Sequence, residues 1–404
     1  MSKIPVVDEL ELDGARVFYR VDYNVPLEGG EVGDVTRIEG TIPTLHLLRE
    51  RGAKVIIASH LGRPKGQRNE KYSLAPVREK LAEILGRDVK WASDCVGEEA
   101  ERLSAELSPG EILLLENLRF HPGEEKNDQE FAKGLRKLAD YYVNDAFGAS
   151  HRAHASIVAL PELFPANCIA GGLLLAKELE FLERVVKVEE SDRPFVAVLG
   201  GAKIAGKIEP LEAMVKIADT LLIGGGMANT FLAARGVAMG ASLVDADSLE
   251  IAKRLLEGKS RATIILPQDV VVTDSLDAPT AIRTLDVEAG LDPGQMAVDI
   301  GMRTVMAFDD VIAGAKTLFW NGPMGVFERE QFAEGTRSIA KAVAQSDAIS
   351  IVGGGESVEA VKESGYADRI SHISTGGGAS LEFISGASLP GVEVLRKAAN
   401  GAGD

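Results

Sequence analysis

The chain has 404 residues, of which 45% are hydrophobic and 26% are charged, a mixture typical of ordinary globular proteins. At roughly 100–200 residues per domain, this length predicts at least two domains, and two is the simplest count. The net charge of −17 argues against binding to nucleic acid or to an anionic membrane surface, because phosphate groups would repel the protein.

Two further features of the composition indicate a cytoplasmic protein. Cys95 and Cys168 form neither a disulfide framework nor a zinc-ligand cluster, and we expect both to be buried free thiols in a reducing compartment. The stretch Met1–Leu10 has no basic region followed by an apolar run, and no window approaches the ~20 apolar residues that cross a membrane.

The first half of the chain alternates short aliphatic runs with segments of helical periodicity. The runs are too apolar to be half-exposed antiparallel strands, so they predict a buried parallel sheet. These predicted strands are Arg16–Val21, Lys54–Ser59, Glu111–Glu116 and Asp140–Asn144. The predicted helices are Thr41–Arg51, Ser73–Leu85, Gly97–Leu107 and Asp128–Ala139.

A charged segment with helical spacing, Leu173–Val188, follows and could connect two domains. The alternation then begins again. The predicted strands are Phe195–Gly200, Thr220–Gly224, Ala262–Leu266, Thr317–Trp320, Ser350–Val352 and Ser371–Ser374. The predicted helices are Pro210–Ala218, Ala228–Arg235, Ser248–Leu256, Glu334–Gln345, Val358–Glu363 and Leu381–Gly386.

This repeated alternation predicts the α/β class, with two doubly wound parallel-sheet (Rossmann-like) domains that face each other across a cleft and are joined by a helix. We place the first domain at residues 1–172, the connecting helix at 173–188 and the second domain at 189–388. A ligand is expected where the carboxyl ends of the strands meet.

Polar and basic residues follow the strands of the first half, always at the same end. In Arg20–Pro26, the residues Asp22 and Asn24 are by themselves typical of a turn. In Ser59–Pro64, however, an imidazole and a guanidinium flank a glycine that allows a ligand to approach the backbone.

Taken together, the basic residues at these strand ends predict an anion-binding basin on an acidic protein. A single loop arginine is usually a solvated surface charge, but here several recur at equivalent positions. The members are Arg37, His60, Arg63, Arg119, His151, Arg152 and His154. Because guanidinium groups bind carboxylate and phosphate bidentately, the expected ligand is an anion that carries both groups.

Triple glycines end three apolar runs of the second half, at 224–226, 353–355 and 376–378. Each can place backbone N–H groups beside a phosphate, although a single one is explained equally well by tight strand-to-helix packing. The segment Gly201–Ile208 nearly matches a P-loop, but Ile208 stands where the motif needs a magnesium-binding hydroxyl. No G-x-G-x-x-G spacing supports a dehydrogenase, and no nucleophile–base–carboxylate set supports covalent hydrolysis.

In order and spacing, these clusters resemble phosphoglycerate kinases over nearly the whole chain. The segments that carry the resemblance are Arg20–Pro26, Ser59–Pro64, Glu116–Phe120, Asn144–Gly148, His151–His154, Gly200–Ile208, Gly224–Phe231, Trp320–Glu328 and Gly353–Ser357. The resemblance implies reversible, magnesium-dependent phosphoryl transfer between 1,3-bisphosphoglycerate with ADP and 3-phosphoglycerate with ATP, by a hinge-bending monomer of glycolysis and gluconeogenesis.

The resemblance also implies the site residues. Residues 1–172 would bind the phosphoglycerate, through Asp22, Asn24, Arg37, His60, Arg63, Arg119 and Arg152. Residues 189–388 would bind the nucleotide, through Lys203, Lys207, Ala297, Asn321, Glu328, Gly353, Gly354, Gly355, Glu356 and Ser357. Residues 389–404, around Val392–Ala399, would pack back on the first domain.

Phosphoryl transfer requires mainly positioning and neutralisation of charge. By the resemblance, Arg37 and Lys207 would neutralise the migrating phosphoryl group, Lys203 the nucleotide phosphates, and Glu356 would contact the nucleotide's magnesium. The chain departs from the usual family pattern at three places. Glu356 replaces an aspartate, Ala297 replaces a glycine, and residues 204–206 read Ile-Ala-Gly where serine and aspartate are common.

Two alternatives remain at this point. One is another acid-anhydride kinase on the same two-domain plan, and the other is a hinged protein that binds a phosphorylated ligand without chemistry. Paired lysines beside a glycine turn and a carboxylate placed for magnesium favour a kinase, because a binding protein needs neither.

Overall fold

The structure, a computed structural model, describes residues 3–401 and divides the chain into two compact units. The first unit combines the chain up to Glu180 with the chain from Ser388 onward, and the second runs from Phe181 to Ala387. Among the described residues, no helix is long and apolar enough to cross a membrane.

The first unit is built on a six-stranded parallel sheet and a short hairpin. Its strands are β1 (Arg16–Arg20), β2 (Leu27–Glu28), β3 (Glu31–Val32), β4 (Lys54–Ala58), β5 (Lys90–Ala92), β6 (Ile112–Leu115), β7 (Tyr141–Asn144) and β8 (Ile169–Gly171). The order across the sheet is β5-β6-β4-β1-β7-β8, and β2 pairs with β3. Because β4 and β7 lie on opposite sides of β1, the direction of winding reverses at β1, as in a doubly wound sheet.

Helices connect these strands. They are α1 (Thr36–Glu39), α2 (Ile42–Glu50), α3 (Ala75–Leu85), α4 (Glu98–Ala105), α5 (Pro122–Glu125) and α6 (Gln129–Arg136), followed by α7 (Leu173–Val186), which contains the boundary between the units. Local signals set their ends. Asp128 accepts a hydrogen bond from the Phe131 N–H and so starts α6, and Gly86 ends α3 in the left-handed conformation.

The second unit contains another six-stranded parallel sheet, in the order β11-β10-β9-β15-β16-β17. The strands of this unit are β9 (Phe195–Leu199), β10 (Thr220–Ile223), β11 (Thr263–Ile265), β12 (Asp269–Thr273), β13 (Ile282–Asp286), β14 (Met296–Ile300), β15 (Thr317–Asn321), β16 (Ile349–Gly353) and β17 (His372–Ile373). Its helices are α8 (Ile208–Ile217), α9 (Gly225–Ala234), α10 (Leu249–Glu257), α11 (Met302–Ala313), α12 (Glu334–Gln345), α13 (Gly355–Glu363) and α14 (Gly378–Ile384). This strand order reverses between β9 and β15, where doubly wound sheets bind ligands.

Helix α15 (Pro390–Gly401) belongs to the first unit, far along the chain from the rest of it. The Gly391 N–H donates to the Ser150 carbonyl at 3.0 Å, and Val392 and Leu395 are buried. Burial of an aliphatic side chain of this size contributes about 1.5–3 kcal/mol, so the helix is held mainly by its apolar face.

The predicted fold class, α/β with two doubly wound parallel sheets, is confirmed. The predicted parallel strands are all present, but β5, β8 and the antiparallel sheet of β12, β13 and β14 were not predicted. β5 has only three residues, and β13 is polar and largely exposed, so neither has the apolar run that marks a buried strand. One prediction about the cysteines is wrong, because Cys95 is buried but Cys168 is partly exposed.

The triple glycines behave differently from the prediction, which treated them as turns that precede helices. Helices α9, α13 and α14 begin within them, at Gly225, Gly355 and Gly378. The N–H groups of Gly225, Gly226, Gly355 and Gly378 therefore belong to first helical turns, where backbone donors have no partner inside the helix.

The first turn of α7 is fixed by a buried carboxylate. Asp145 accepts hydrogen bonds from the Leu175 N–H at 2.9 Å and from the Tyr19 hydroxyl at 2.7 Å. Burial raises the pKa of Asp145 to about 6. The start of α7 thus depends on an acid whose charge is costly in its surroundings.

We expect Asp145→Asn to change how stability depends on pH. Since the pKa of Asp145 is raised in the folded protein, its contribution is fully present below about pH 4 and is lost as the pH rises through about 6, by up to about 3 kcal/mol. The asparagine does not titrate, so its stability lacks this loss. As the pH rises from about 4 to above 6, the urea concentration at the unfolding midpoint should therefore increase in the variant relative to the wild type.

Asp140→Asn is the matched control. The Arg16 hydrogen bond lowers the pKa of Asp140, so the wild-type advantage there should instead be lost as the pH falls. If the urea unfolding midpoints of the wild type and Asp145→Asn differ by the same amount at every pH, the pKa of Asp145 is not raised.

Candidate active site

In the first unit, the loops at the carboxyl ends of β1, β4 and β6 meet through one glycine. The Gly62 N–H donates to Asn24 Oδ1 at 2.8 Å, and the Gly62 carbonyl accepts from Arg119 Nη1 at 2.8 Å. Gly62 has a φ of +60°, and a Cβ at this position would collide with the Tyr72 ring. The backbone thus links two predicted site residues that are 95 positions apart in sequence.

Arg37, on α1, joins the same cluster. Its Nη1 lies 3.0 Å from Asp22 Oδ2 and 3.2 Å from the Asn24 carbonyl. The Arg37 guanidinium therefore contacts both Asp22 and Asn24, the two residues that by sequence alone are typical of a turn.

Arg119 is the most constrained cation of this cluster. It is 2% exposed, its Nε lies 3.5 Å from Glu125 Oε1, and burial lowers its pKa to about 10. Its Nη2 is buried and has no hydrogen-bond partner among residues 3–401. A buried donor without an acceptor is costly, and an anionic ligand would satisfy it.

Two of the histidines in the predicted basin, His60 and His154, carry little positive charge near neutral pH. Burial and the nearby arginines lower the pKa of His60 well below its usual range and that of His154 to about 3. His60 Nδ1 lies 3.3 Å from Arg20 Nη2 and 3.8 Å from Asp22 Oδ1. At these two positions the histidines therefore act as neutral groups among the arginines, whereas the predicted basin counted them with the basic residues.

The remaining predicted residues differ in their contacts. Arg152 Nε lies 3.1 Å from His151 Nε2, and its charge acts on Arg119. Arg63 is exposed and has no hydrogen bond or ion pair with any described residue. The structure thus links Asp22, Asn24, Arg37, His60 and Arg119 directly, whereas Arg63 lies outside these contacts.

A fully buried network that sequence reasoning did not single out supports the cluster. Arg20 Nε donates to Ser156 Oγ at 2.8 Å, and Ser156 Oγ donates to Glu124 Oε1 at 2.6 Å. The Ser156 N–H also donates to Glu124 Oε2 at 2.9 Å. Arg20 begins the segment Arg20–Pro26, but nothing in the sequence links it to Glu124 or Ser156.

In the second unit, a cavity of about 230 Å³ lies at the carboxyl ends of β9, β10 and β15. Its floor is held by backbone hydrogen bonds from Gly201 N to the Pro323 carbonyl at 2.8 Å and from Gly225 N to the Met324 carbonyl at 2.9 Å. Gly225 has a φ of +64°, and a Cβ there would lie 2.8 Å from Gly201 N. Only glycine allows these loops to approach so closely.

Three predicted nucleotide residues line this cavity: Ala297, Glu328 and Glu356. The other predicted residues do not line it; these are Lys203, Lys207, Asn321, Gly353, Gly354, Gly355 and Ser357. Leu243, Val270, Val298 and Asp299 also line the cavity and were missed. Three of these four lie on β12 or β14, in the sheet that the sequence pattern did not reveal.

The two lysines of the near-P-loop segment differ in environment. Lys207 Nζ donates to the Gly200 carbonyl at 2.8 Å, and burial lowers its pKa to about 8, opposed in part by the charge of Glu356. Lys203 is exposed and makes no hydrogen bond or ion pair with a described residue. Both cations therefore have bonding capacity for an anionic ligand.

Beside the turn between β16 and α13 lies a buried side-chain amide without a hydrogen-bond partner in the described chain, that of Asn321 at the end of β15. The first turn of α13 carries a carboxylate, Glu356, without an ion-pair partner among residues 3–401. Asn321 Nδ2 lies 2.9 Å from where a Cβ on Gly354 would be. Ser357 Oγ accepts from the Gly322 N–H at 2.5 Å, which ties α13 to the loop after β15. Glu356, in the first turn of α13, is exposed and forms no described ion pair.

Asp299 is a buried acid at the cavity wall. Its carboxylate accepts from the Ile300 and Gly335 N–H groups at 2.9 and 2.7 Å, yet burial raises its pKa to about 7. Near neutral pH, Asp299 therefore adds less negative charge to the wall than an ordinary aspartate would, although Glu328 and Glu356 also line the cavity.

Comparison with known proteins identifies the family of the chain. The sequence model of the family described as phosphoglycerate kinase matches residues 7–387. The phosphoglycerate kinase of Moorella thermoacetica is 52% identical over 397 residues, which cover 98% of this chain and 99% of that protein. That of Thermomicrobium roseum is also 52% identical and covers 97% of this chain and 99% of its own length.

Solved structures give the same result. The structure of phosphoglycerate kinase from Coxiella burnetii has a TM-score of 0.86 and 37% identity, covering 98% of this chain and 99% of that one. The crystal structure of the enzyme from Pyrococcus horikoshii has a TM-score of 0.87 and 34% identity, covering 98% of this chain and 100% of that one. With a family match along nearly the whole sequence and the same two-domain fold, this chain belongs to the phosphoglycerate kinase family.

Proposed function

We propose that the arginine cluster of the first unit binds 3-phosphoglycerate and 1,3-bisphosphoglycerate, and that the cavity of the second unit binds ATP or ADP with magnesium. In the direction of ATP use, a carboxylate oxygen of 3-phosphoglycerate attacks the γ-phosphorus, the bond to the β,γ-bridging oxygen breaks, and ADP leaves. The observation that carries the proposal is the buried Arg119 Nη2, a guanidinium donor without an acceptor in the described chain.

The acceptor site is suited to an anion with a phosphate and a carboxylate. Arg152, whose charge acts on the buried Arg119, and Arg63, an exposed cation next to Gly62 in sequence, would add guanidinium groups, which bind both anionic groups bidentately. Asp22 and Asn24 can bond the acceptor's hydroxyl, since each offers a side-chain oxygen. His60, being neutral, would serve as a hydrogen-bonding group rather than as a charge.

The nucleotide would lie in the glycine-lined cavity, with Ala297 and Glu328 toward the nucleoside. Lys203 and Lys207 would neutralise the phosphates, and the segment Gly353–Ser357, which joins β16 to the first turn of α13, would offer backbone N–H groups to them. The buried amide of Asn321 has an unused donor next to this turn. Ser357 would act mainly by holding the turn, because its hydroxyl already accepts from Gly322.

Magnesium enters as part of the nucleotide substrate. Glu356 is the residue that fits it, because a carboxylate without a cationic partner is a ligand type that Mg²⁺ prefers. Bound magnesium would neutralise phosphate charge. Arg37 and Lys207 would neutralise the remaining charge on the migrating phosphoryl group, which makes them, with Lys203, the catalytic residues of the proposal.

Transfer requires the two substrates to meet in line and away from water, so the proposal includes a hinge-bending movement that brings them together. It assigns acceptor binding to residues 1–172, the connection to 173–188, nucleotide binding to 189–388, and a packing role on the first domain to 389–404, of which 402–404 lie outside the described residues. We further propose that the enzyme acts as a cytoplasmic monomer.

A coupled assay with 3-phosphoglycerate, ATP and magnesium tests the activity directly. We expect turnover that requires all three, runs in both directions and shows no phosphorylated enzyme when the acceptor is omitted, because no nucleophile is available to hold the phosphoryl group. Folded protein that fails to turn over, or that accumulates a stable phosphoenzyme, would contradict the proposed reaction.

Arg63→Ala and Arg152→Ala test the acceptor site. Each removes a charge-assisted contact worth on the order of 2 kcal/mol, so the dissociation constant of 3-phosphoglycerate should rise roughly 30-fold. The affinity for MgATP should stay nearly unchanged, which calorimetry can measure for both ligands. Arg102→Ala, on the exposed face of α4, is the control, and equal losses of nucleotide affinity in the first two variants would refute the assignment.

Glu356→Gln tests the magnesium contact. The amide is a weaker ligand for a hard cation, so we expect a higher magnesium requirement and a turnover lower on the order of 30-fold, whereas Glu356→Asp should keep much of the activity. Glu363→Gln, at the other end of α13, controls for loss of charge on this helix. Unchanged magnesium dependence in Glu356→Gln would show that Glu356 serves only as a charge at the helix N-terminus.

A further inference from the structure

A cluster of three potential metal ligands lies in the first unit, apart from the residues assigned to either substrate. Asp94, Cys95 and His121 place one carboxylate oxygen, the sulfur and one ring nitrogen within 4.8 Å of one another. In the described chain, no other set of three or more such residues converges in this way. The sequence did not reveal this cluster, because His121 lies 26 positions after Cys95.

Neighbouring strands bring these residues together. Asp94 and Cys95 follow β5 by two and three positions, and His121 follows β6 and the turn Leu118–Phe120. β5 and β6 pair in parallel, so their carboxyl ends lie at the same edge of the sheet. The ligands therefore come from two loops that are fixed to adjacent strands.

Existing contacts hold the three groups in place. His121 Nε2 lies 2.6 Å from Asp94 Oδ1, and that oxygen also accepts from the Cys95 N–H at 2.6 Å. The His121 ring stacks on Phe131, with centroids 5.1 Å apart and planes inclined by 23°. A site whose side chains are already oriented loses less entropy on binding.

We propose that Asp94, Cys95 and His121 form a binding site for a divalent transition-metal ion of the zinc type, separate from the magnesium that accompanies the nucleotide. A thiolate, an imidazole and a carboxylate are the ligand types that Zn²⁺ takes, and Mg²⁺ does not favour sulfur or nitrogen. The carboxylate and the thiolate together balance the charge of the ion.

The geometry needs only a small change to receive the ion. Metal–ligand bonds of about 2.0–2.3 Å in a tetrahedron put ligand atoms about 3.3–3.8 Å apart. The nitrogen and oxygen would separate from 2.6 Å, and the sulfur already lies within 4.8 Å of both. Binding releases the thiol proton to solvent and requires neutral His121 with a bare Nε2.

The exposure of the ligands and their number also suit a zinc-type ion. The side chains of His121 and Asp94 are 30% and 47% exposed, so the ion can enter from solvent, whereas Cys95 is buried behind them. Glu99, the nearest acid on α4 with a described link to this loop, already accepts from the Ser93 N–H at 3.1 Å. Three protein ligands would leave the fourth position to water.

Cobalt binding tests the site, because Co²⁺ takes the same ligands and reports them by absorbance. With purified full-length enzyme, free of nucleotide and with magnesium in excess to occupy oxygen-only sites, we expect one Co²⁺ per chain, a thiolate-to-cobalt charge-transfer band, and displacement of cobalt by Zn²⁺. The control variants Cys168→Ser and His46→Gln should behave like the wild type.

Variants of the ligands decide the outcome. Cys95→Ser should lose the charge-transfer band, and His121→Gln and Asp94→Asn should weaken Co²⁺ binding by at least about 10- to 100-fold, since even outer-shell substitutions cost that much. The last two residues are partly exposed, so these variants test the site even if Cys95→Ser folds poorly. No band in the wild type, or the same band and affinity in His121→Gln and Asp94→Asn, would overturn the proposal.

Discussion

Parallel strands force all their carboxyl ends to one edge of a sheet, and the rest of this molecule depends on that constraint. Residues that follow different strands, far apart in sequence, become neighbours without any further device. In the first unit the constraint gathers Asp22, Asn24, His60 and Arg119, and in the second it gathers the glycine loops around the cavity. Each unit thus obtains a binding edge as a direct result of its strand pairing.

Charge decides what such an edge can bind. The chain carries a net charge of −17, yet its first unit holds arginines close together and keeps the intervening histidines neutral by burial. The cost of burying Arg20 is offset by Ser156 Oγ, which accepts from its Nε, and by the Glu124 carboxylate, 3.9 Å from its Nη2. The buried Nη2 of Arg119 has no acceptor in the described chain. A bound anion would supply both the missing hydrogen bond and a negative charge.

In the proposed function, the second unit would bind phosphate with fewer fixed charges than the first unit uses. Burial lowers the pKa of Lys207 and raises that of Asp299, so both groups are less charged than the same residues in water. Backbone N–H groups at glycine-initiated helices then provide donors that cannot be neutralised by a change of pH.

Much of this organisation was readable from the sequence. The apolar runs predicted both parallel sheets because buried parallel strands need a continuous apolar sequence, and the strand-end arginines predicted an anion site. β13 was invisible because its residues are polar, and the cavity wall on β12 and β14 was missed with it. The neutral state of His60 and the partners of Arg20 could not be predicted, since both depend on contacts between loops that only the fold creates.

Helix α15 gives the first unit an unusual order of assembly. This unit is discontinuous in sequence, and its final 12-residue helix rests on Ser150 and on an apolar surface formed by the early part of the chain. On a ribosome, the whole second unit emerges before this helix does, and domains generally fold as they emerge. The first unit must therefore wait, with part of its apolar surface uncovered, until the second has been made, so that the unit begun first is the one completed last.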